Sequence, residues 1–478
     1  ETLPAGWTSG RAMRHSLKSI FCGGEKHFCG GMDNRMGQAG LVGLGTMGRA
    51  LAEALARAGM EVHAVDPLDA APMPPGGVTV HRDMASMAAA LTPPRRILMM
   101  VTAGEPVDEV IASLTARCSA GDILIDGGNS FFRDTERRAA ALSGAGLNYL
   151  GAGISGGEEG ARNGASIMVG GAAEIYAAAE DILTVIAARR GGDVCCALVG
   201  PGGAGHVVKM VHNGIEYALM QAIAEAHFLL HRGAGLSHGE IASLFRGWNS
   251  GVLESYLLGI AADILATSDP ESGQPILDVL DDRARESGTG RWVVTEAMAL
   301  GVPVPSIAEA VAARSLSGGS DIRRALAADP GDAPFEATDA FLAGMRAALT
   351  GCMVAAFAQG ISILSAAGAR DGWSPDLAEI ACIWRKGCIV QGAFLESIEG
   401  AFTRRPDLPH LLMDSEIAAL MTGAAPGWRD VASKALAAGL PVPVIAASLG
   451  WYDALRMGRL WTALVQAQRD YFGRHGLR

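Results

Sequence analysis

The sequence predicts an α/β domain on a parallel sheet, then a large all-α domain built from an internal duplication, then a short C-terminal tail. Three observations carry this. Short apolar runs alternate with helical patterns over residues 38–204, the signature of β-α-β units. A glycine-rich turn joins the first run to its helix. Later, a helical segment beginning at Gly301 recurs from Gly439, an offset of 138 residues.

Taken in order, residues 1–37 lack periodicity and read as a disordered extension or an artefact outside the fold; Met32 or Met36 would serve as a natural start. Ala39-Gly40-Leu41-Val42 is the first strand, running into Gly43-Leu44-Gly45-Thr46-Met47-Gly48 and a helix over Arg49–Ala58. Glu61–Asp66 is the second strand. GxGxxG alone is weak. Between a strand and a helix, with Asp66 eighteen residues after Gly48, it predicts a Rossmann-type dinucleotide site. Gly43 permits the tight turn, Gly45 lets the backbone approach a pyrophosphate, and Gly48 lets helix and strand pack. Amides at the helix start, around Thr46 and Met47, face the phosphate. Asp66 stands where the adenosine ribose would lie and would repel a 2′-phosphate. Pro67 takes the place where an arginine would favour NADP, so NAD is the favoured cofactor.

Ile97–Val101 is a buried strand, and its end places Val101, Thr102 and Ala103 beside the cofactor. Ile123–Asp126 ends at Gly127-Gly128-Asn129-Ser130, and Asn148–Ala152 leads to Ser155-Gly156-Gly157. Ligands sit beyond the carboxyl ends of strands in such sheets. Asn129, Ser130, Ser155, Gly156 and Gly157 therefore line the nicotinamide end of one cleft.

The helical half opens with Gly205-His206-Val207-Val208-Lys209-Met210-Val211-His212-Asn213-Gly214-Ile215-Glu216-Tyr217. Lys209, His212, Asn213 and Glu216 fall on one helix face. A lysine, a histidine, a carboxamide and a carboxylate so placed suit acid–base work on one small substrate. The competing reading is an ordinary solvated charged face.

Composition narrows the classes. The chain has 478 residues, enough for about three domains. Its 49% apolar content and 5% aromatics suit a soluble helix-rich protein, and its net charge of −11 argues against nucleic-acid or membrane-surface binding. The uncharged stretch 347–369 is long enough to span a bilayer. Its glycines, serines, Thr350 and Gln359 make a buried core helix the better reading. The cysteines, Cys22, Cys29, Cys118, Cys195, Cys196, Cys352, Cys382 and Cys388, show no pairing pattern, which fits a reducing cytoplasm. Cys22, His27 and Cys29 are poorly spaced for zinc.

With Asp126–Ser130 (DGGNS), Ser155–Arg162 (SGGEEGAR) and Lys209–Tyr217 (KMVHNGIEY), the chain resembles decarboxylating 6-phosphogluconate dehydrogenases, of the β-hydroxyacid dehydrogenase superfamily. Trp248–Gly251, Gly288–Trp292, Ala313–Ser317 and Gln466–Gly473 extend the resemblance in family order over residues 40–476. It implies oxidation of 6-phosphogluconate to ribulose 5-phosphate and carbon dioxide with NAD or NADP and no metal, in the pentose phosphate pathway and gluconate utilization. Lys209 would be the base, Glu216 the acid that protonates C1, and Asn213 and His212 would hold substrate hydroxyls. Tyr217, Thr289, Arg314, Arg469 and His475 would surround the phosphate, the last two reaching into a partner's site in a homodimer. Two departures stand out. Ser287 takes the place of the family's phosphate-binding lysine, and the tail ends soon after His475.

At the 138-residue offset Gln221 also matches Gln359, and Arg291 matches Arg429. The catalytic face does not recur: Ala347, Thr350, Gly351 and Val354 stand there. Copy one is thus expected to carry the chemistry and copy two the core and dimer interface, with 347–369 matching the buried helix after the catalytic one. The boundaries are 38–204, 205–457 and 458–478. A 3-hydroxyisobutyrate-type dehydrogenase is the main alternative, and a nucleotide-binding homologue with a decayed site the other.

Overall fold

A computed structural model describes residues 36–68, 76–285, 288–327 and 334–476. The readings for residues 1–35, including Cys22, His27 and Cys29, and for Ser287 lie outside these residues.

Eight strands form one sheet: β1 (Met36–Val42), β2 (Met60–Val65), β3 (Val78–Val80), β4 (Arg96–Met99), β5 (Ile123–Asp126), β6 (Asn148–Ser155), β7 (Ser166–Gly170) and β8 (Cys196–Gly200). Their order is β8-β7-β6-β5-β4-β1-β2-β3. All neighbours pair in parallel except β6 with β7. The short apolar runs of the sequence are strands buried on both faces, as a helix-covered parallel sheet requires. The order reverses at β1, between β4 and β2, and that crevice is where such sheets bind ligands. β1 begins at Met36, two residues before the expected boundary. The antiparallel β7 and the closing β8 were not anticipated.

The helices that position the site are α1 (Thr46–Arg57), α2 (Phe132–Ser143), α3 (Ala204–Phe228), α4 (Thr289–Ala299), α5 (Pro305–Gly318), α6 (Asp339–Asp371), α7 (Ser415–Ala437), α8 (Pro443–Leu455) and α9 (Thr462–Gly473). α3 joins the two halves. It lies against the sheet through glycines: a Cβ on Gly205 would sit 2.3 Å from the Gly151 carbonyl oxygen and 2.5 Å from that of Met168. Its far side packs on α4, α5 and α6 in one large apolar core.

α6 is long and apolar enough to cross a membrane, but its most apolar window is 89% buried inside the fold. It is the core helix the sequence suggested. Its assignment within the repeat needs correction, however. Removing the 138-residue offset from 347–369 gives 209–231, so α6 is the counterpart of α3 itself and not of the helix after it.

The duplication exchanges caps. Glu225 of α3, in copy one, accepts from the Val444 and Ile445 amides at the start of α8, in copy two, both at 2.9 Å. Gln359 of α6, in copy two, accepts from Ser306 N at the start of α5, in copy one, at 3.1 Å. The Ser306 and Ser448 hydroxyls meet between them at 2.7 Å. These side chains satisfy amides that a proline-started helix leaves unpaired.

Candidate active site

The glycine turn has the shape a dinucleotide needs. Gly43 adopts φ 95°, open to glycine, and a Cβ on Gly48 would sit 1.9 Å from the Gly43 oxygen. A Cβ on Gly45 would meet nothing within 4 Å, so the backbone there faces open space. Gly45 caps α1 without a side-chain hydrogen bond, leaving the first amides, those of Thr46 and Met47 among them, to an anion. Asp66, just past β2, accepts from Leu44 N at 3.1 Å and Leu68 N at 2.9 Å. Its carboxylate is thereby fixed against the turn, and each oxygen keeps a lone pair for a ribose hydroxyl. Val101, Thr102 and Ala103 follow β4, with Thr102 exposed at the crevice.

The four residues expected to form a catalytic face all lie on α3. Lys209, His212 and Asn213 are buried, and Glu216 is partly so. A chain of polar contacts runs through them. Ser155 Oγ lies 3.1 Å from His212 Nε2, His212 Nδ1 3.1 Å from Asn213 Oδ1, and Asn213 Nδ2 donates to Thr289 Oγ1 at 3.3 Å. Burial, reinforced by the Lys209 charge, holds His212 well below the usual imidazole range. The ring is therefore neutral, so its 3.8 Å approach to Glu216 is not an ion pair. A neutral ring fits the chain with Nδ1–H donating to Asn213 and Nε2 accepting from Ser155.

Burial lowers the Lys209 ammonium pKa, against the pull of Glu216. Burial raises the Glu216 carboxyl, against Lys209 and Arg314. The two shifts run toward the neutral amine and the protonated acid, the forms in which a base and an acid on one helix face would act. The solvated-face reading of these residues therefore fails, because the face is buried.

Around them, β6 ends at Ser155, and Gly156 and Gly157 turn with φ 120° and 61°. Asn129 is exposed at the end of β5. Ser130 is a correction: it is 4% exposed, donates to Asp126 Oδ2 at 2.7 Å and accepts from Arg138 at 3.3 Å. It braces the turn and does not line the cleft. Tyr217 packs under Arg314, whose guanidinium carbon is 3.3 Å from the ring centroid. Arg469 and His475 are not gathered with these residues. They belong to α9 and the tail, where Arg469 donates to Gln466 and His475 packs on Phe472, and α9 buries none of its side chains.

Two groups of neighbours escaped the sequence reading. His206, one turn before Lys209, is buried with Nδ1 2.7 Å from Thr135 Oγ1, and its Nε2 has no partner. Its place within the glycine-flanked run was the available signal. Copy two also reaches the site, beyond the core role expected of it. The Trp384 ring meets His212 edge-on at 5.6 Å, Cys388 lies near Lys209, and the Gly387 oxygen would be 2.5 Å from a Cβ on Gly156. No local motif announces that approach.

Comparison with known proteins agrees with this geometry over the whole described fold. The family model for the NAD binding domain of 6-phosphogluconate dehydrogenase matches residues 38–200, and that for the 6-phosphogluconate dehydrogenase C-terminal domain matches residues 205–478. The NADP(+)-dependent, decarboxylating 6-phosphogluconate dehydrogenase of Bacillus subtilis is 43% identical over 80% of this chain and 83% of its own. The NAD(+)-dependent enzyme of the same organism is 41% identical over 91% and 95%. A Plasmodium falciparum 6-phosphogluconate dehydrogenase structure superposes with TM-score 0.86 at 33% identity, covering 92% of this chain and 97% of its own. With both halves matched and the site assembled between them, the chain belongs to the 6-phosphogluconate dehydrogenase family.

Proposed function

We propose that this chain catalyses oxidative decarboxylation of 6-phosphogluconate to ribulose 5-phosphate and carbon dioxide. The observation that carries the chemistry is the placing of buried Lys209, His212 and Asn213 with partly buried Glu216 on one face of α3. Bound NAD or NADP supplies the hydride acceptor at the crevice beyond β1. Neutral Lys209 takes the C3 hydroxyl proton as C3 is oxidised. The lysine, now protonated, donates to the new carbonyl oxygen and draws in the electrons released as carbon dioxide leaves. Glu216 then protonates the enediol carbon that becomes C1 of the product while Lys209, neutral again, takes the proton of the adjacent hydroxyl, which restores the ketone of ribulose 5-phosphate. Asn213 and neutral His212, held by Thr289 and Ser155, orient substrate hydroxyls, together with Asn129, Gly156 and Gly157. Tyr217, Thr289 and Arg314 face the phosphate, where a planar guanidinium suits bidentate binding.

NAD is the favoured cofactor. Supporting this, the Asp66 carboxylate is held at the end of β2 by the Leu44 and Leu68 amides, where it would repel a 2′-phosphate, and Pro67 offers no cation to offset it. The two Bacillus relatives, one NADP- and one NAD-dependent, are nearly equally similar, so overall identity does not decide between cofactors. The working form is a cytoplasmic homodimer in which a partner supplies Arg469 and His475. The exposed apolar side chains of Trp461, Leu464, Val465 and Phe472 support that docking. The test is the initial rate on 6-phosphogluconate with NAD and then NADP, following reduced nicotinamide and carbon dioxide together. Equal amounts with NAD preferred support the reading. Reduced cofactor without carbon dioxide points to a simpler β-hydroxyacid dehydrogenase, and NADP preference overturns the Asp66 argument alone.

A further inference from the structure

Glu296 is 4% exposed on α4, yet none of the catalytic steps uses it. Two arginines from different elements hold it. Arg133, in the first turn of α2, donates to Oε2 at 3.4 Å, and Arg370, at the end of α6, donates to Oε1. One turn earlier on the same face of α4, Trp292 packs on Phe131 at 5.1 Å. The neighbouring Phe132 ring lies beneath both guanidiniums, at 4.9 Å for Arg133 and 5.9 Å for Arg370. Residues 292 and 296 therefore grip the start of α2 with a ring and a charge.

What this grip joins gives it meaning. α2 starts directly after the turn carrying Asn129, and that turn is braced from behind by Asp126, Ser130 and Arg138. α4 starts at Thr289, which receives the Asn213 amide. One turn belongs to the sheet half and the other to the helical half. We propose that Glu296 is a positioning residue: with Arg133 and Arg370 it clasps the Asn129 turn to the Thr289 turn and so sets the distance between the two ends of the substrate pocket. Its part in catalysis rests on the activity proposed above. The clasp itself does not.

Arg370 also binds Asp371, and Glu136 stands beside both arginines. A neutral replacement at 296 therefore loosens the link between the turns while other carboxylates still balance the arginines. The Arg133 side chain is 53% exposed, so its truncation cuts the cross-link with little effect on the core. The experiment uses the full chain with Glu296→Gln, Arg133→Ala and the double variant. It measures kcat, KM for 6-phosphogluconate, KM for the cofactor, and hydrogen exchange at the Asn129 and Thr289 turns. The expected result is a rise of about tenfold in substrate KM in each single variant, as for a coupling of ordinary size. Cofactor KM and kcat should stay within about twofold. The double variant should be no worse than the worse single, and exchange should quicken at both turns together. Unchanged substrate KM and exchange overturn the proposal, as does an equal loss in all three kinetic constants. If Glu296→Gln does not fold, Arg133→Ala decides alone. If the wild type does not turn over 6-phosphogluconate, the activity reading fails, and the exchange data still decide the clasp.

Discussion

Gly153→Ala tests how closely the sheet governs Lys209, the proposed base. Gly153 sits in β6 directly against α3. A Cβ there would lie 2.3 Å from Lys209 Cβ, 2.9 Å from Lys209 Cγ and 3.0 Å from the Gly205 oxygen. Ordinary carbon–carbon contact is about 3.5 Å, so the new methyl requires a shift of about 1 Å. The Gly205 oxygen is backbone and Lys209 Cβ is fixed to the helix, so neither a rotamer change nor a flexible chain end can absorb it. Either α3 moves off the sheet or the lysine is displaced. A misplacement of about 1 Å at a reacting group costs about 100-fold, or about 2.7 kcal/mol in the barrier. Overpacking alone lowers stability by about 1–3 kcal/mol. Steady-state rates on 6-phosphogluconate, paired with thermal melts, read both effects. The expected outcome is kcat down about 100-fold with a lowered melting temperature. Native kcat together with a native melting temperature would refute the argument that this contact sets the lysine.

Other predictions follow from the same geometry. Because the Lys209 pKa is lowered and the amine must be neutral to act, kcat/KM should fall as pH drops through that pKa. Because Glu216 is raised and must be protonated to act, activity should also fall as pH rises through its pKa, and Glu216→Gln should lose that alkaline limb in a pH–rate profile. Lys209→Gln should lower kcat by about 10²–10⁴-fold with folding intact by circular dichroism. Asp66→Ser with Pro67→Arg should shift the NADP-to-NAD ratio of kcat/KM upward by at least about tenfold, a change of about 1.4 kcal/mol; an unmoved ratio removes Asp66 from cofactor choice. Glu225 is pushed up to about 7, chiefly by burial. A raised folded pKa favours the native state below the unfolded value and loses that advantage as pH rises toward 7. Denaturant titrations should therefore show the wild type losing stability relative to Glu225→Gln between about pH 5 and pH 8, and parallel curves would contradict the shift.

Much of this was legible because short-range chemistry encodes it. Gly43, Gly45 and Gly48 stand between a strand and a helix, and the turn they form is local. Lys209, His212, Asn213 and Glu216 share a face by helical spacing alone. What stayed hidden depends on partners distant in sequence. Ser130 looks like any polar residue at a strand end until Asp126 and Arg138 enclose it. Gly153 and Gly205 read as small residues, and only the crossing of β6 and α3 shows what a methyl group would meet. Trp384 and Cys388 belong to the copy whose helix face lost its polar residues, yet the chain between its helices folds back onto His212 and Lys209. Arg469 and His475 carry family signals, but α9, which buries none of its side chains, does not gather them with the Lys209 face in this chain.

The crossed caps of Glu225 and Gln359 bear on how such a domain holds together. Neither repeat closes its own proline-started helix; each borrows the closing group from the other. The two closing groups stand at different places in the repeat, since Gln359 matches Gln221 and Glu225 matches Ile363. The helical half is in this sense a pair of interlocked repeats, one with Lys209, His212, Asn213 and Glu216 on its long helix and the other with Ala347, Thr350, Gly351 and Val354 at the matching places. Severed between α5 and α6, each piece would keep a proline-started helix whose capping side chain had left with the other.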